Sequence, residues 1–295
     1  MFSRIILLIG LVGSAGAAAP LDSARLEQLT GLTGTWNAPK TVFKVTAPRT
    51  DRAITVDGWK MPAFMGLTSW AAFTAGKETD AMVMGDLVLF EDEVNPVMSA
   101  LLDAGLEVTA LHNHFFYDDP RVYFMHIGGE GAADKLAAGV RAAFAKQREI
   151  RAANPAPARS FGGAIPSPSK IDGAALEGVL GAKPQAKDGM VKFVIGLETK
   201  MDCGCMVGAD MGVNTWAAFA GVDGDAVVDG DFAVREKELQ PVLKSLRAGG
   251  INIVAIHHHM TGEEPRILFL HYWGRGAALN LAGSLEKTLS LQAVK

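Results

Sequence analysis

Apolar residues recur with two different spacings along this chain, and the spacings predict alternating strands and helices. The pattern predicts a strand over Ala81–Phe90 and then a helix over residues 94–103, where Val94, Val97, Met98 and Leu101 share one face. Residues 106–110 alternate apolar and polar positions, which predicts a strand that pairs with a second strand as a hairpin. Helical spacing returns over residues 132–144 and predicts a closing helix.

A short helix from about Asp22 and several strands through the Trp70 segment precede these elements. The order of strand, helix, hairpin and helix predicts an α+β fold, in which helices pack on one face of a mostly antiparallel sheet. The continuous βαβ alternation that a doubly wound parallel sheet requires is missing. We therefore expect the antiparallel arrangement.

The whole pattern occurs twice. GDLVLFEDEVNPVMSALLDAG from Gly85 matches GDFAVREKELQPVLKSLRAGG from Gly230, and MGLTSWAAF from Met65 matches MGVNTWAAF from Met211. A stretch rich in Pro and Gly separates the copies and is typical of a linker. The predicted organisation is a signal peptide over residues 1–19, a first repeat over 20–150, a linker over 151–170 and a second repeat over 171–295.

The N-terminal segment and the charge of the chain limit where the protein acts and what it binds. Arg4, an apolar run and then small residues have the layout of a secretory signal, so we expect a periplasmic or secreted protein. No later apolar run reaches the length of about 18 residues that a membrane span needs, so the mature protein should have no transmembrane segment. The formal net charge of −4 gives no basic footprint for nucleic acid. A small molecule or an envelope component remains as the ligand, of unknown identity.

All seven histidines lie in two clusters at matching places of the repeats: His112, His114 and His126, then His257, His258, His259 and His271. Because strand side chains alternate, His112 and His114 should share one face, together with Leu106 and Val108 on the core side. His257 and His259 follow the same rule. If residue 119 is central in the turn, His112 stands directly opposite His126, and residue 264 does the same for His257 and His271.

Three imidazoles on neighbouring strand positions can hold one divalent transition metal ion, with zinc the first choice and iron or copper as alternatives. The same histidines could instead be hydrogen-bonded core residues that bind nothing. Acidic residues shared by both repeats offer a further ligand or an acid–base group, and we assign the catalytic role, as a hypothesis, to Glu91 and Glu236. The shared pairs are Asp86 with Asp231, Glu91 with Glu236, Glu93 with Glu238, and Asp119 with Glu264.

Cys203 and Cys205 are the only cysteines, and they occur in the second repeat alone. They are therefore not part of a shared site. A Cys-Gly-Cys disulfide, a Cu(I) site with Met201 and Met206, and a pair of ordinary thiols are all compatible with the sequence.

The segments MGDLVLFEDEVNPVMSALLDAGLEVTALHNH and HHHMTGEEPRILFLHYWGRG, with the repeated WAAF, closely resemble the LppY/LpqO family of bacterial envelope proteins, a domain of unknown function carrying the number 1259. The resemblance covers nearly all of both repeats. It implies an exported or envelope-associated protein and supplies no established reaction, substrate or catalytic residue. Named members are lipoproteins, whereas no cysteine lies at the signal-peptide junction of this chain, which favours a soluble periplasmic or secreted form.

Two functions from different classes follow from these residues. The first is an exported protein that binds a transition metal in each repeat, with hydrolysis by metal-activated water as the simplest chemistry. The second is a non-catalytic envelope module that binds a ligand or partner and uses its histidines structurally. The sequence leaves open whether the protein is an enzyme.

Overall fold

The computed structural model describes residues 21–292, so the predicted signal peptide lies outside the described residues. The helices are α1 (Ser23–Thr30), α2 (Glu91–Asp103), α3 (Ala133–Ala153), α4 (Gly173–Leu180), α5 (Leu239–Ala248) and α6 (Ala278–Leu289). The strands of the first repeat are β1 (Gly34–Trp36), β2 (Val42–Pro48), β3 (Thr55–Val56), β4 (Trp59–Lys60), β5 (Thr68–Ala75), β6 (Ala81–Phe90), β7 (Glu107–His112), β8 (Asp118–Asp119) and β9 (Val122–Gly131). Those of the second are β10 (Gln185–Lys187), β11 (Met190–Gly196), β12 (Thr199–Met201), β13 (Met206–Val207), β14 (Asn214–Val222), β15 (Asp225–Arg235), β16 (Asn252–His257), β17 (Glu263–Glu264) and β18 (Ile267–Gly276).

The two repeats form one continuous antiparallel sheet of twelve strands in the order β1-β2-β5-β6-β9-β7-β16-β18-β15-β14-β11-β10. Equivalent strands stand at equal distances from the centre, where β7 pairs with β16 through Leu111 and Ile256. Leu111 and Ile256 are themselves equivalent positions. The repeats are therefore related by a pseudo-twofold axis that passes between these two residues.

All six helices of residues 21–292 contribute to one core against a single face of this sheet. The core contains Leu26, Leu101, Val140, Leu176, Leu246 and Leu285, one from each helix in chain order. This arrangement confirms the α+β prediction, with the difference that the expected two sheets are two halves of one. Because the halves share a core, burial of apolar area stabilises both repeats together.

Side-chain amides join the two repeats at the positions where β7 and β16 no longer pair with each other. Val108 lies beyond the end of β16. The Gln240 amide of α5 accepts a hydrogen bond from the Val108 N–H and donates one to the Val108 C=O, both at 2.9 Å. Ile253 lies beyond the end of β7, and Asn95 of α2 accepts from its N–H at 2.8 Å and donates to its C=O at 3.0 Å. These bonds satisfy backbone groups that would otherwise be buried without partners.

The two predicted helices of the first repeat are present at the expected places, but each is longer than the sequence predicted. Helix α2 begins at Glu91, three residues earlier than expected, because the Glu93 carboxylate accepts a hydrogen bond from the Phe90 N–H at 2.9 Å. Helix α3 continues to Ala153, into the predicted linker. Its Arg151 contacts Asp92 and lies 2.9 Å from Glu93, so the last turn is anchored to α2. Residues 154–169 contain neither helix nor strand.

Candidate metal centres on the histidine face

The histidines lie on the sheet face opposite the helices, which we call the histidine face. Val108 and Leu111 both lie in the core beneath the helices although they are three positions apart, because the register between β7 and β9 shifts between Val108 and Ala110. This β-bulge reverses the alternation, so His112 points away from the core. The prediction that the histidines share the face of Leu106 and Val108 is therefore wrong. An equivalent shift lies between Ile253 and Ala255.

The condition under which His112 would stand directly opposite His126 is not met, and the hairpin register differs from it by two positions. His112 pairs with Phe124 and Ala110 pairs with His126, while His257 pairs with Phe269 and Ala255 with His271. The loop is not symmetric about residue 119, because Asp118 and Asp119 form β8 and pair with β3. A shift of two preserves the side-chain face, so His112 and His126 remain diagonal neighbours on one surface.

The second repeat brings two histidines and one aspartate to a single point. The His259 Nε2 atom lies 3.2 Å from the His257 Nε2 atom and 3.2 Å from the Asp231 Oδ2 atom. One donor atom from each of these three residues lies within 4.8 Å of the others. The His271 ring stacks on the His257 ring with centroids 4.7 Å apart, and Asp231 is the cross-strand partner of His271. This group could hold a metal ion.

The polar atoms of this cluster suit a cation. The Asp231 Oδ1 and His257 Nδ1 atoms are buried and have no hydrogen-bond partner. Such unsatisfied atoms are uncommon in native proteins and point to a function or an ion. Burial lowers the pKa of His257, which favours the neutral imidazole that ligates metals.

Contacts with residues outside the cluster orient His259. The His259 Nδ1 atom lies 3.3 Å from the Gly212 carbonyl oxygen, which can only accept a hydrogen bond. The Nε2 atom of His259 is thereby left as the ligand atom. The ring of His259 also stacks on Phe269 with centroids 3.5 Å apart, which fixes its plane.

The first repeat carries the same residue types in a looser arrangement. Asp86 is the cross-strand partner of His126, and the ring of His112 lies 5.1 Å from the rings of both His114 and His126. Burial raises the pKa of Asp86, and the nearby His126, His114 and His112 oppose that rise. The Asp86 Oδ1 atom is buried without a partner, as in the second repeat. Burial, and then the neighbouring His112, lowers the pKa of His114, whose ring stacks on Phe124 at 3.3 Å.

Of the four acid pairs that the sequence left open, only Asp86 and Asp231 lie beside the histidines: Asp231 contacts His259, and Asp86 is the cross-strand partner of His126. Glu91 lies past the end of β6, and an extended strand places Phe90 about 13 Å from Asp86. Burial raises the pKa of Glu91, and Arg121 partly opposes the rise. The Glu236 side chain is 65% exposed and lies 4.0 Å from Arg266. The structure does not bring the two proposed catalytic glutamates to the centres.

The remaining acid candidates have other partners. Glu93 is buried against Arg49, with an Arg49 Nη1 to Glu93 Oε2 distance of 2.6 Å. Asp119 forms an exposed ion pair with Arg159 at 2.7 Å. The sequence did contain a signal for Asp86 and Asp231, because both follow a glycine at the same place inside matching strands of the two repeats. Only the pairing of β6 with β9 and of β15 with β18 distinguishes them from the other candidates.

Cys203 and Cys205 lie in the turn between β12 and β13, and both are exposed free thiols. A hydrogen bond with Cys205 lowers the pKa of Cys203. The turn packs beside the loop that follows His259, because Asp202 N–H donates to the Gly262 carbonyl at 2.8 Å. The thiols contribute no ligand to the cluster of Asp231, His257 and His259.

The chain belongs to the family described as Domain of Unknown Function (DUF1259), whose model matches residues 24–146 and 174–291. The two matched regions confirm the tandem repeat. No curated protein matches the chain. Among solved structures, the trimeric bacterial microcompartment shell protein PduB is similar at 12% identity over 88% of this chain and 93% of that chain, with a TM-score of 0.21. A TM-score this low carries no argument about fold or function. None of the helices in residues 21–292 combines the length and apolarity needed to cross a bilayer.

Proposed function

We propose that this DUF1259-family protein is exported and binds one divalent transition metal ion at each histidine centre. The ligands of the second repeat are Asp231, His257 and His259, with His271 beside them, and those of the first are Asp86, His112, His114 and His126. The observation that carries the proposal is the convergence of the Asp231, His257 and His259 donor atoms within 4.8 Å. The N-terminal signal pattern supports export to the periplasm or secretion.

Zinc is the metal we propose first. Imidazole nitrogens and a carboxylate oxygen are ordinary zinc ligands, and three protein ligands with one open position are typical of catalytic zinc sites. A zinc ion held by these residues would lower the pKa of a bound water to about 7 and so would supply the nucleophile for hydrolysis of an oxygen-bearing substrate. Two histidines with one carboxylate are also the ligand set of non-haem Fe(II) oxygenases, so iron is the second candidate.

The buried carboxylate of each centre has the simplest role in this scheme. Asp231 lies with its Oδ2 atom 3.2 Å from the His259 Nε2 atom and offers a negative charge that offsets the charge of the cation. Asp86 is placed to do the same in the first repeat. These aspartates replace Glu91 and Glu236 as the acidic residues that we assign to the centres.

Metal analysis by mass spectrometry tests the proposal on untagged full-length protein purified without chelators. The parent should contain about two equivalents of one transition metal, and a variant with His112, His114, His257 and His259 all changed to alanine should contain none while keeping its circular dichroism. His258→Ala is the matched control, because His258 is exposed directly after the end of β16 and lies outside the cluster. Its metal content should equal that of the parent.

A non-catalytic binding module with structural histidines predicts a different result. The quadruple variant would lose about 1–3 kcal/mol of unfolding free energy through unsatisfied buried partners, with no change in metal content. Absence of metal from the parent, even after reconstitution with zinc, iron, copper and manganese, would overturn the metal proposal.

A further inference from the structure

A pocket of about 470 Å³ opens on the histidine face directly beside the second centre. His271 forms one wall, so a molecule in the pocket is next to the proposed metal ion. The other lining residues are Val254, Asp229, Tyr272 and three further aromatic residues: Phe161, Trp216 and Trp273. The volume is within the range of about 300–1,000 Å³ that is usual for small-molecule sites.

The sheet register places these side chains together. Asp229 pairs with Trp273, and Asp231 pairs with both Trp216 and His271 on its two neighbouring strands. Asp229 and Asp231 are two residues apart on one strand face, so their Cα atoms are separated by roughly 7 Å. The pocket therefore begins one side chain away from the metal ligands.

Phe161 reaches the pocket from residues 158–164 of the linker, which we call the strap. Arg275 donates to three strap carbonyls, those of Gly162 at 2.6 Å, Gly163 at 2.9 Å and Ala164 at 2.9 Å. The guanidinium is itself held by Asp225 at 2.9 Å. At the other end of the strap, the Ala158 N–H donates to Asp92 at 3.0 Å. Phe161 is thus positioned by contacts on both sides.

The chemistry of the walls selects one class of ligand. Aromatic rings attract cations through their quadrupoles, and several rings around one carboxylate are the arrangement that binds organic ammonium groups. The Asp229 side chain is exposed and forms no ion pair within the described residues, although the His271 ring and the Lys192 ammonium lie near enough to interact with its charge. The Lys192 ammonium lies 4.2 Å from the centroid of the Trp216 ring, which is a cation–π contact within the protein itself.

The first repeat has no equivalent of this pocket. Met84 and Gly128 occupy the positions of Asp229 and Trp273. Trp70 is retained, with Lys44 at 4.2 Å from its ring centroid. The duplicated residues thus belong to the shared centre, while the Asp229 carboxylate and the Trp273 ring occur in the second repeat alone.

We propose that this pocket binds an organic ammonium group, and that it is a substrate subsite of the second centre. The second statement rests on the proposed function, whereas the first does not. A substrate of this kind carries an oxygen donor that faces the metal and an alkylammonium group roughly 7 Å away, the separation of Asp231 and Asp229 along the strand.

Isothermal titration of the full chain with choline and with its neutral isostere 3,3-dimethylbutan-1-ol tests the pocket. Choline should bind about tenfold more tightly than the isostere, since only the charge differs between the two probes. Asp229→Asn and Trp273→Gly should each weaken choline binding about tenfold and reduce the preference for the charged probe. Trp70→Phe is the matched control in the first repeat and should leave choline binding unchanged.

Equal binding of the two probes by the parent, or no choline binding at millimolar concentration, would overturn the proposal without any variant. Retention of choline binding in folded Asp229→Asn and Trp273→Gly proteins would also overturn it. The titration is repeated after metal removal with a chelator. Choline binding by a protein that never takes up metal would support the ammonium pocket and contradict the metal centre. Metal uptake without choline binding would support the metal centre and contradict the pocket.

Discussion

The two repeats carry the same polar residues on the same bulged hairpin, yet the second centre is tighter than the first. In the second repeat one imidazole nitrogen lies 3.2 Å from another and 3.2 Å from a carboxylate oxygen. Among residues 21–292 no other group of three such residues brings its donor atoms within 4.8 Å. In the first repeat the His112 Nδ1 atom instead contacts the Phe124 carbonyl at 3.1 Å. Duplication preserved the ligands, while local contacts determine how they converge.

The first repeat is the more strongly anchored of the two. Glu93 has a side chain that is 0% exposed and contacts Arg49 and Arg151 at 2.6 Å and 2.9 Å. Its equivalent, Glu238, pairs only with Arg235 at 3.2 Å, and Arg235 is 27% exposed. The comparison indicates that the first repeat has the stronger internal ion network and the second has the pocket.

Changing the buried glutamate should have the largest effect on stability. Glu93→Gln removes the fully buried carboxylate that Arg49 and Arg151 share and leaves them only the more exposed Asp51 and Asp92, so it should lower the unfolding free energy by about 3–5 kcal/mol. Glu238→Gln, the matched change in the second repeat, should cost about 1 kcal/mol or less. Urea unfolding of both variants measures the difference. Equal losses would show that the two repeats are anchored alike.

Removal of one histidine should weaken metal binding more at the second centre than at the first. His259→Ala removes the atom that contacts both His257 and Asp231 and should weaken metal binding in the second repeat by at least about 100-fold. His114→Ala should cost about tenfold, because the first centre is less converged. Competition with a chromophoric chelator gives both values. A larger loss for His114→Ala would reverse the ranking of the centres.

The amides that join the repeats offer a third comparison. Asn95→Ala leaves the N–H and C=O of Ile253 without partners and should cost about 2–3 kcal/mol, because Asn95 is buried at 7% exposure. Gln240→Ala should cost about 1 kcal/mol, because Gln240 is itself half-buried and water can enter the space that its amide leaves. Thermal unfolding of the pair checks the order. Identical midpoints for both variants would contradict it.

The smallest effect is expected from Arg275→Ala, which removes the hydrogen bonds that hold the strap on the second repeat. The unfolding free energy should change by less than about 1 kcal/mol, because these bonds are exposed. Cleavage by trypsin after Arg159 should nevertheless become faster, since the strap is no longer held. Arg266→Ala, which removes an exposed arginine away from the strap, should leave the cleavage rate at the parent value.

The sequence predicted the parts of this protein that depend on short-range spacing. The strand Ala81–Phe90, the core of helix α2 and the tandem repeat follow from the hydrophobic pattern and from matched segments. The histidine clusters were also visible, because the residue types recur at matched places. The face of those histidines was predicted wrongly, because a bulge adds one residue to a strand without changing the composition around it.

Tertiary structure alone decided how these parts meet. Pairing of β7 with β16 merged two expected sheets into one, and no local spacing encodes a backbone contact between residues as distant as Leu111 and Ile256. The register of β15 against β18 chose Asp231 over the other acids, and the strap brought Phe161 beside Trp216 and Trp273. Local spacing determines which residues form an element and share its face. Hydrogen bonding between distant strands determines which of those faces become neighbours.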